Sequence, residues 1–370
     1  MFSINFTQAV EQVSVARYPE DLFVHHEDEP KTVYRKLRGA LHQVHTQKGK
    51  ETEGQRAFEK LLIAWKIAEE MLVKGTFGTR TLQIDEQTAS PDAFFVRSKK
   101  GSYEGLHMVH EGNVAEVYKG VDIHGKAVIV KIARTPDCNE FLEREMEHLR
   151  AMQEMFFDSG SGKYFPTLID NFSVTQGSDR LQVNVFECCE WYVTLSHVLR
   201  RFSDAGKSID MKSAAWMYNR ILESLAHAHP LSIIHGGVHP DNILVHPESH
   251  RIVLTGWTSS VKSSDAVRYI SKMFMHMYPQ EVVGTGLMRH ASPSTDLYMA
   301  AAVITEVLGG EVGKRTLPAS VPREVRAFLG ARLTENPGLR DGVAIRQRDR
   351  FGEVLVALYG PPKFHHFVLP

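Results

Sequence analysis

Residues 127–133 read Ala-Val-Ile-Val-Lys-Ile-Ala, a β-branched apolar run interrupted by one lysine. Such a run fits a buried strand. A lysine inside it is costly unless its charge is paired or its head reaches water. Two readings of Lys131 follow: an ion pair with a carboxylate supplied by another element, or a snorkelling side chain at a strand end. The stretch at 139–152 then reads as a helix, and its Glu145-Met146-Glu147 is either a source of that carboxylate or a solvated acidic face.

The chain has 370 residues, more than one ordinary core accommodates, so two or three domains are expected. Hydrophobic residues at 43% and charged residues at 24% are ordinary globular values. A formal net charge of −1 gives no general attraction to nucleic acid or to a membrane surface, so neither is expected as a partner. Three cysteines, Cys138, Cys188 and Cys189, are too few for a disulfide framework and fit a reducing compartment. No basic segment followed by a long apolar one opens the sequence, and the apolar run at 299–303 is too short to span a bilayer. A soluble cytoplasmic protein is the expectation.

Two amphipathic patterns occupy the first 75 residues. Val33, Leu37, Ala40, Leu41 and Val44 line one face of a basic helix over 31–44, and Phe58, Leu61, Leu62, Trp65, Ala68, Met71 and Leu72 line another over 55–73. The polar stretch 46–54 between them reads as a loop. With a short helix at Pro19-Glu20-Asp21-Leu22-Phe23 and Tyr34-Arg35-Lys36-Leu37 in the basic helix, the segment resembles the J-domain of DnaJ-type co-chaperones. The resemblance implies an Hsp70 partner. Its His-Pro-Asp tripeptide falls on His42-Gln43-Val44, which keeps only the histidine. A plain helical hairpin is the alternative.

From about residue 100 to 355, partial motifs resemble protein kinases in order and spacing. Aligned on Val117, the glycine-loop pattern G-x-G-x-x-G-x-V reads His110, Gly112 and Ala115 at its glycine places; an ordinary β-hairpin is the alternative. The resemblance makes Lys131 the phosphate-binding lysine and Glu145 its ion-pair partner. The alternating strand 181–187 leads into Cys188-Cys189-Glu190. This implies Phe186 at the gatekeeper place, with Glu187 and Cys189 in the hinge that faces adenine.

His235-Gly236-Gly237-Val238-His239-Pro240-Asp241-Asn242 resembles the catalytic loop H-R-D-L-K-P-E-N. The aspartate of that pattern accepts the substrate hydroxyl proton, and its asparagine holds a metal ion. Asn242 is present, but glycine stands at 237. After the strand 251–254, Gly256-Trp257-Thr258 stands where kinases carry the metal-binding Asp-Phe-Gly. His235 and Trp257 match places that pack between the lobes. Tyr278-Pro279-Gln280-Glu281 resembles the Ala-Pro-Glu element, with Arg340 as its partner. Asp296 matches the aspartate that ties down the catalytic loop; a simple helix cap is the alternative.

The resemblance implies an α+β, two-lobed kinase-like fold: a J-like helical domain at 1–75, a linker at 76–99, a β-rich lobe at 100–190 and a helical lobe at 191–370. Losing a general base costs about 10²–10⁴ in rate, and losing the metal ligand removes further electrostatic stabilisation. The expectation is a catalytically inactive pseudokinase that regulates or scaffolds a protein partner. No catalytic residue and no metal site are assigned. ATP binding without metal, through Gly112, Lys131, Glu145, Phe186, Glu187, Cys189 and Asn242, stays open. A divergent phosphotransferase and an Hsp70 co-chaperone are the alternatives. Asp241 lies outside the reaction centre of the pattern. Serines 259, 260, 263 and 264 read as a polar loop, with a phosphorylated segment the alternative, and the residues at 360–367 as a segment packed back on the helical lobe, with docking of a partner the alternative.

Overall fold

The computed structural model describes residues 4–24, 29–41, 51–73, 75–80, 83–84, 94–156, 164–189, 191–284 and 290–370. The chain forms two compact units, Met1–Glu111 with Val117–Val130, and Gly112–Glu116 with Lys131–Pro370. Each mixes helix and sheet.

The first unit begins with four helices, α1 (Phe6–Val15), α2 (Pro19–Phe23), α3 (Pro30–Leu41) and α4 (Glu51–Val73). The sequence reading had no helix at α1. Its start is fixed by a reciprocal cap: Gln8 N–H donates to Asn5 Oδ1 at 3.0 Å, and Asn5 N–H donates to Gln8 Oε1 at 3.1 Å. Phe6, Ala9 and Val13 of α1 join Leu22, Phe23, Leu37, Leu41, Phe58 and Leu61 in one core. Each large side chain fully buried there contributes about 1.5–3 kcal/mol. The Trp65 indole stacks on Tyr34 at 4.6 Å and meets Phe23 edge-on at 5.3 Å. His42, Gln43 and Val44, the J-motif positions, lie outside the described residues.

Strand β1 (Phe94–Arg97) falls inside the stretch read as a linker. It pairs antiparallel with β2 (Ser102–Glu111), Val96 opposite Tyr103. Phe95 packs on Phe58 at 4.2 Å, which ties β1 to the helical core. Strands β3 (Ala115–Asp122) and β4 (Ala127–Ala133) run across the division between the units. Arg38 of α3 is buried. Its Nε donates to Glu104 Oε2 at 2.9 Å and its Nη2 to the Asp122 carbonyl at 3.0 Å.

The second unit continues with α5 (Asn139–Phe156), β5 (Leu168–Gln176), β6 (Asp179–Glu187), β7 (Val193–Thr194), α6 (Leu195–Asp204) and α7 (Met211–Ala228). Then come β8 (Ile233–Ile234), β9 (Ile243–His246), β10 (Arg251–Leu254), β11 (Val261–Lys262), α8 (Gln280–Val283), α9 (Pro293–Val307), α10 (Arg323–Arg332) and α11 (Ala344–Tyr359). β5 and β6 form an antiparallel pair; β9 lies between β10 and β7; β8 pairs with β11. Helix α9 is buried on nearly every side, which its Leu297-Tyr298-Met299-Ala300-Ala301-Ala302-Val303-Ile304 run requires. The segment after α11 packs back on this unit: Phe367 stacks on Phe202 at 5.7 Å, and His365 Nε2 lies 3.1 Å from Asp210. Among the described residues no helix is long and apolar enough to cross a membrane.

Candidate functional site

Lys131, at the C-terminal half of β4, donates through Nζ to Glu145 Oε1 at 2.8 Å. Both side chains are nearly buried, 12% and 3% exposed, so this charge is paired rather than snorkelling. Asn184 of β6 completes the group. Its Nδ2 donates to Glu145 Oε2 at 3.2 Å and to the Leu142 carbonyl at 2.8 Å. The sequence reading missed Asn184. Gln182 and Asn184 are polar positions of the alternating strand β6, and both are buried because α5 covers that face. The available signal was the composition of the strand, since asparagine is rare in one and its amide needs partners once buried.

Gly112 opens a tight turn in which its own N–H donates to the Ala115 carbonyl at 3.0 Å. Val114 and Ala115 pack with Ala133 and Leu142, and Tyr269 lies against this cluster with its hydroxyl 3.3 Å from Asn113 Nδ2. Phe186 is buried at the end of β6, and the Glu187 N–H donates to the Thr167 carbonyl at 3.0 Å. Just beyond, burial pushes the Cys189 thiol up to about 11, with Cys188 and Glu187 adding to the effect.

The loop after β8 is organised by Asp296, fully buried in the first turn of α9. Its Oδ2 accepts from the His235 N–H at 2.8 Å and lies 3.0 Å from His229 Nε2; its Oδ1 accepts from the Gly236 N–H at 2.9 Å. These bonds exceed what a helix cap needs. His235 accepts from the Gly237 N–H at Nδ1, 3.2 Å, and donates from Nε2 to the Thr255 carbonyl, 2.8 Å, so it is the neutral Nε2–H tautomer. Burial lowers its pKa to about 4, partly opposed by Asp296. The ring packs edge-on against Trp257 at 4.5 Å, and the indole N–H donates to the Leu254 carbonyl at 2.7 Å.

Gly236, Gly237 and Gly256 occupy tight places. Gly236 has φ +67°, and a Cβ there would lie 2.9 Å from the Ser259 carbonyl oxygen. At Gly237 a Cβ would sit 3.1 Å from both side-chain atoms of Ser259. Gly256 has φ +78°, and a Cβ would fall 2.3 Å from Asn242 Cγ and Oδ1. Asn242 is itself held, with Nδ2 donating to the Gly237 carbonyl at 2.9 Å and lying 3.0 Å from His239 Nε2. The space where a carboxylate at 256 would start is therefore filled by the asparagine. Gly256→Asp is expected to destabilise the second unit by about 1–3 kcal/mol, read as a lower urea midpoint by tryptophan fluorescence. Gly352→Ala, in α11 with nothing within 4 Å, should be neutral or stabilising by about 0.5–1 kcal/mol.

Ser259 and Ser260 correct the reading of a polar loop, because both are buried. The Ser260 hydroxyl donates to the Trp257 carbonyl and accepts from His148 Nδ1 at 2.8 Å. Burial lowers the His148 pKa to about 4, with Lys262 and Arg144 adding to the effect. Helix α5 is thus fixed by Lys131 and Asn184 at Glu145, and by Ser260 at His148. Farther along, Arg340 is buried, forms an ion pair with Glu281 and lies 4.7 Å over the Tyr298 ring.

The structure brings Lys131 to Glu145, Asn242 to Gly237 and Gly256, Asp296 to His235, and Arg340 to Glu281. Among the described residues no three His, Cys, Asp or Glu side chains converge as a metal site. The site offers one fixed cation and a carboxamide already spent on the backbone.

No family model matches the chain. It is similar to serine/threonine-protein kinase PrkC of Bacillus subtilis, 24% identical over 221 residues, covering 57% of this chain and 31% of that protein. It is also similar to serine/threonine-protein kinase PknA of Mycobacterium tuberculosis, 24% identical over 265 residues, covering 65% and 58%. A third relative is a probable serine/threonine-protein kinase, pknA2, of Bifidobacterium longum, 22% identical over 227 residues, covering 58% and 27%. The comparisons support a kinase-like fold. The chain spans less than two thirds of the length of these relatives.

Proposed function

We propose that this chain is a catalytically inactive, kinase-like protein that regulates or scaffolds a protein partner. The observation that carries the reading is the filled space at Gly256, where φ is +78° and Asn242 lies 2.3 Å from a built Cβ. A chain that had merely lost a carboxylate at 256 would leave room for it. Here Asn242 has closed over that position and Ser259 crowds Gly237, while Asp296, Trp257 and the Arg340–Glu281 pair still hold the scaffold. The expected result with ATP, magnesium and a general protein substrate is no phosphate incorporation above that of Lys131→Met. Incorporation that depends on Lys131 would overturn the reading in favour of a divergent phosphotransferase.

The intact Lys131–Glu145 pair favours a second, compatible property, metal-free nucleotide binding. Its test is a thermal-shift titration with ATP in EDTA, in which stabilisation lost on Lys131→Ala supports it and no shift at saturating ATP ends it. The helices at α2, α3 and α4 support a J-like arrangement for the first unit. Hsp70 engagement is tested by adding the full chain to an Hsp70 ATPase assay, where an unchanged rate removes it.

A further inference from the structure

The first unit contains a cavity of about 680 Å³ with no carboxylate among the residues lining it. Two separate elements supply its cations, Arg35 and Arg38 from α3 and Arg97 with Lys99 and Lys100 from the end of β1 and the turn into β2, and His124 lines it from the turn after β3. Like charges gathered in one concavity repel one another and raise the free energy of the empty state. The Arg38 charge is met by Glu104, but among the described residues no carboxylate pairs with Arg35, Lys99 or Lys100, so these three charges are not discharged internally.

The walls are fixed. Arg38 is 6% exposed and immobilised by Glu104 and the Asp122 carbonyl through Nε and Nη2, which leaves Nη1 for another acceptor. The turn carrying Lys99 and Lys100 is closed by Ser98. Its N–H donates to the Gly101 carbonyl at 2.8 Å, and its hydroxyl accepts from the Lys100 and Gly101 N–H groups at 2.9 and 3.1 Å. The turn carrying His124 is closed by Asp122 Oδ1, which accepts from the His124 and Lys126 N–H groups at 2.8 Å each. The cationic side chains thus project from rigid backbone, which lowers the entropy cost of convergence.

We propose that this cavity binds a compact, multiply phosphorylated small molecule. The volume lies within the roughly 300–1,000 Å³ range of small-molecule sites and exceeds what one phosphate fills. Arginine forks and lysine point charges from two elements suit several phosphate groups on one core. The net charge of −1 argues against a general nucleic-acid surface as the reason for the cluster. This inference stands apart from the kinase-like site and does not rest on the proposed function.

The test is calorimetric titration of the full chain with inositol hexakisphosphate at physiological salt. Saturable binding is expected. Lys99→Glu with Lys100→Glu should weaken it about 100-fold, at about tenfold per lost charge-assisted contact; Arg35→Glu should weaken it about tenfold. All three residues are exposed, so the fold is retained. Lys272→Glu, an exposed cation of the second unit, should leave the affinity within about twofold. Absence of saturable binding, or an affinity unchanged in the Lys99/Lys100 variant, overturns the proposal. Sedimentation with vesicles carrying phosphatidylinositol bisphosphate separates the sources: variant-sensitive co-sedimentation assigns a lipid headgroup, and its absence beside binding in solution assigns a soluble ligand.

Discussion

Asp296→Ala is expected to lower the stability of the second unit by about 3–5 kcal/mol. The carboxylate is fully buried, and each of its oxygens accepts a backbone N–H of the His235–Gly236 loop, with His229 as a third partner. Truncation strands two buried N–H groups, each costing about 1–3 kcal/mol. Asn is a poor rescue, because its amide directs N–H groups at an N–H donor. Urea unfolding followed by tryptophan fluorescence reads the effect. A loss under about 1 kcal/mol would show that water replaces the carboxylate and that Asp296 does not organise the loop.

Arg38→Ala is expected to destabilise the first unit by about 3–5 kcal/mol near pH 8, because it leaves Glu104 buried without its counter-charge. Burial raises the Glu104 pKa to about 7 even with Arg38 opposing it. A raised carboxylate pKa means the folded state holds a proton that the unfolded state releases. This contribution is therefore fully present below about 4.5 and lost as pH rises through about 7. The Arg38→Ala penalty should shrink at pH 5, where the folded carboxyl is protonated. Replacing both residues by Met and Leu should recover most of the loss. Hydrogen exchange of peptides from α3 and β2 measures this unit separately. An equal penalty at both pH values would contradict the protonation argument.

The second unit responds to pH with the opposite sign. His148 and His235 have pKa values lowered to about 4 by burial, so unfolding lets them take up protons below about 6.5. Stability from both is present above about 6.5 and lost as pH falls toward about 4. Acidification is expected to open α5 and the His235 loop while the β2 region of the first unit gains protection.

Local structure was largely legible where periodicity and chemistry agreed. The apolar stripes placed α3 and α4, and the lysine in an apolar run marked β4. Helix α1 was missed because its signal is a short Asn-x-x-Gln cap on a ten-residue segment, weak beside the longer stripes. Burial of Asn184, Ser259 and Ser260 was not legible for a different reason. A polar side chain on a strand or loop reads as solvent-facing unless its partner is known, and those partners lie 39 residues from Asn184 at Glu145 and 112 from Ser260 at His148.

The sequence by itself determined which residue types stand at Lys131, Glu145, Gly237, Asn242, Gly256 and Asp296, because identity and spacing are properties of the chain. Tertiary structure alone decided what those identities mean in space. Lys131 is paired because α5 brings Glu145 to 2.8 Å, and Gly256 admits no side chain because Asn242 fills the adjoining volume. The cationic cavity of the first unit belongs to the same class. Arg35, Lys99 and His124 are far apart in sequence, and only the folding of a helix beside two turns gathers them around one space.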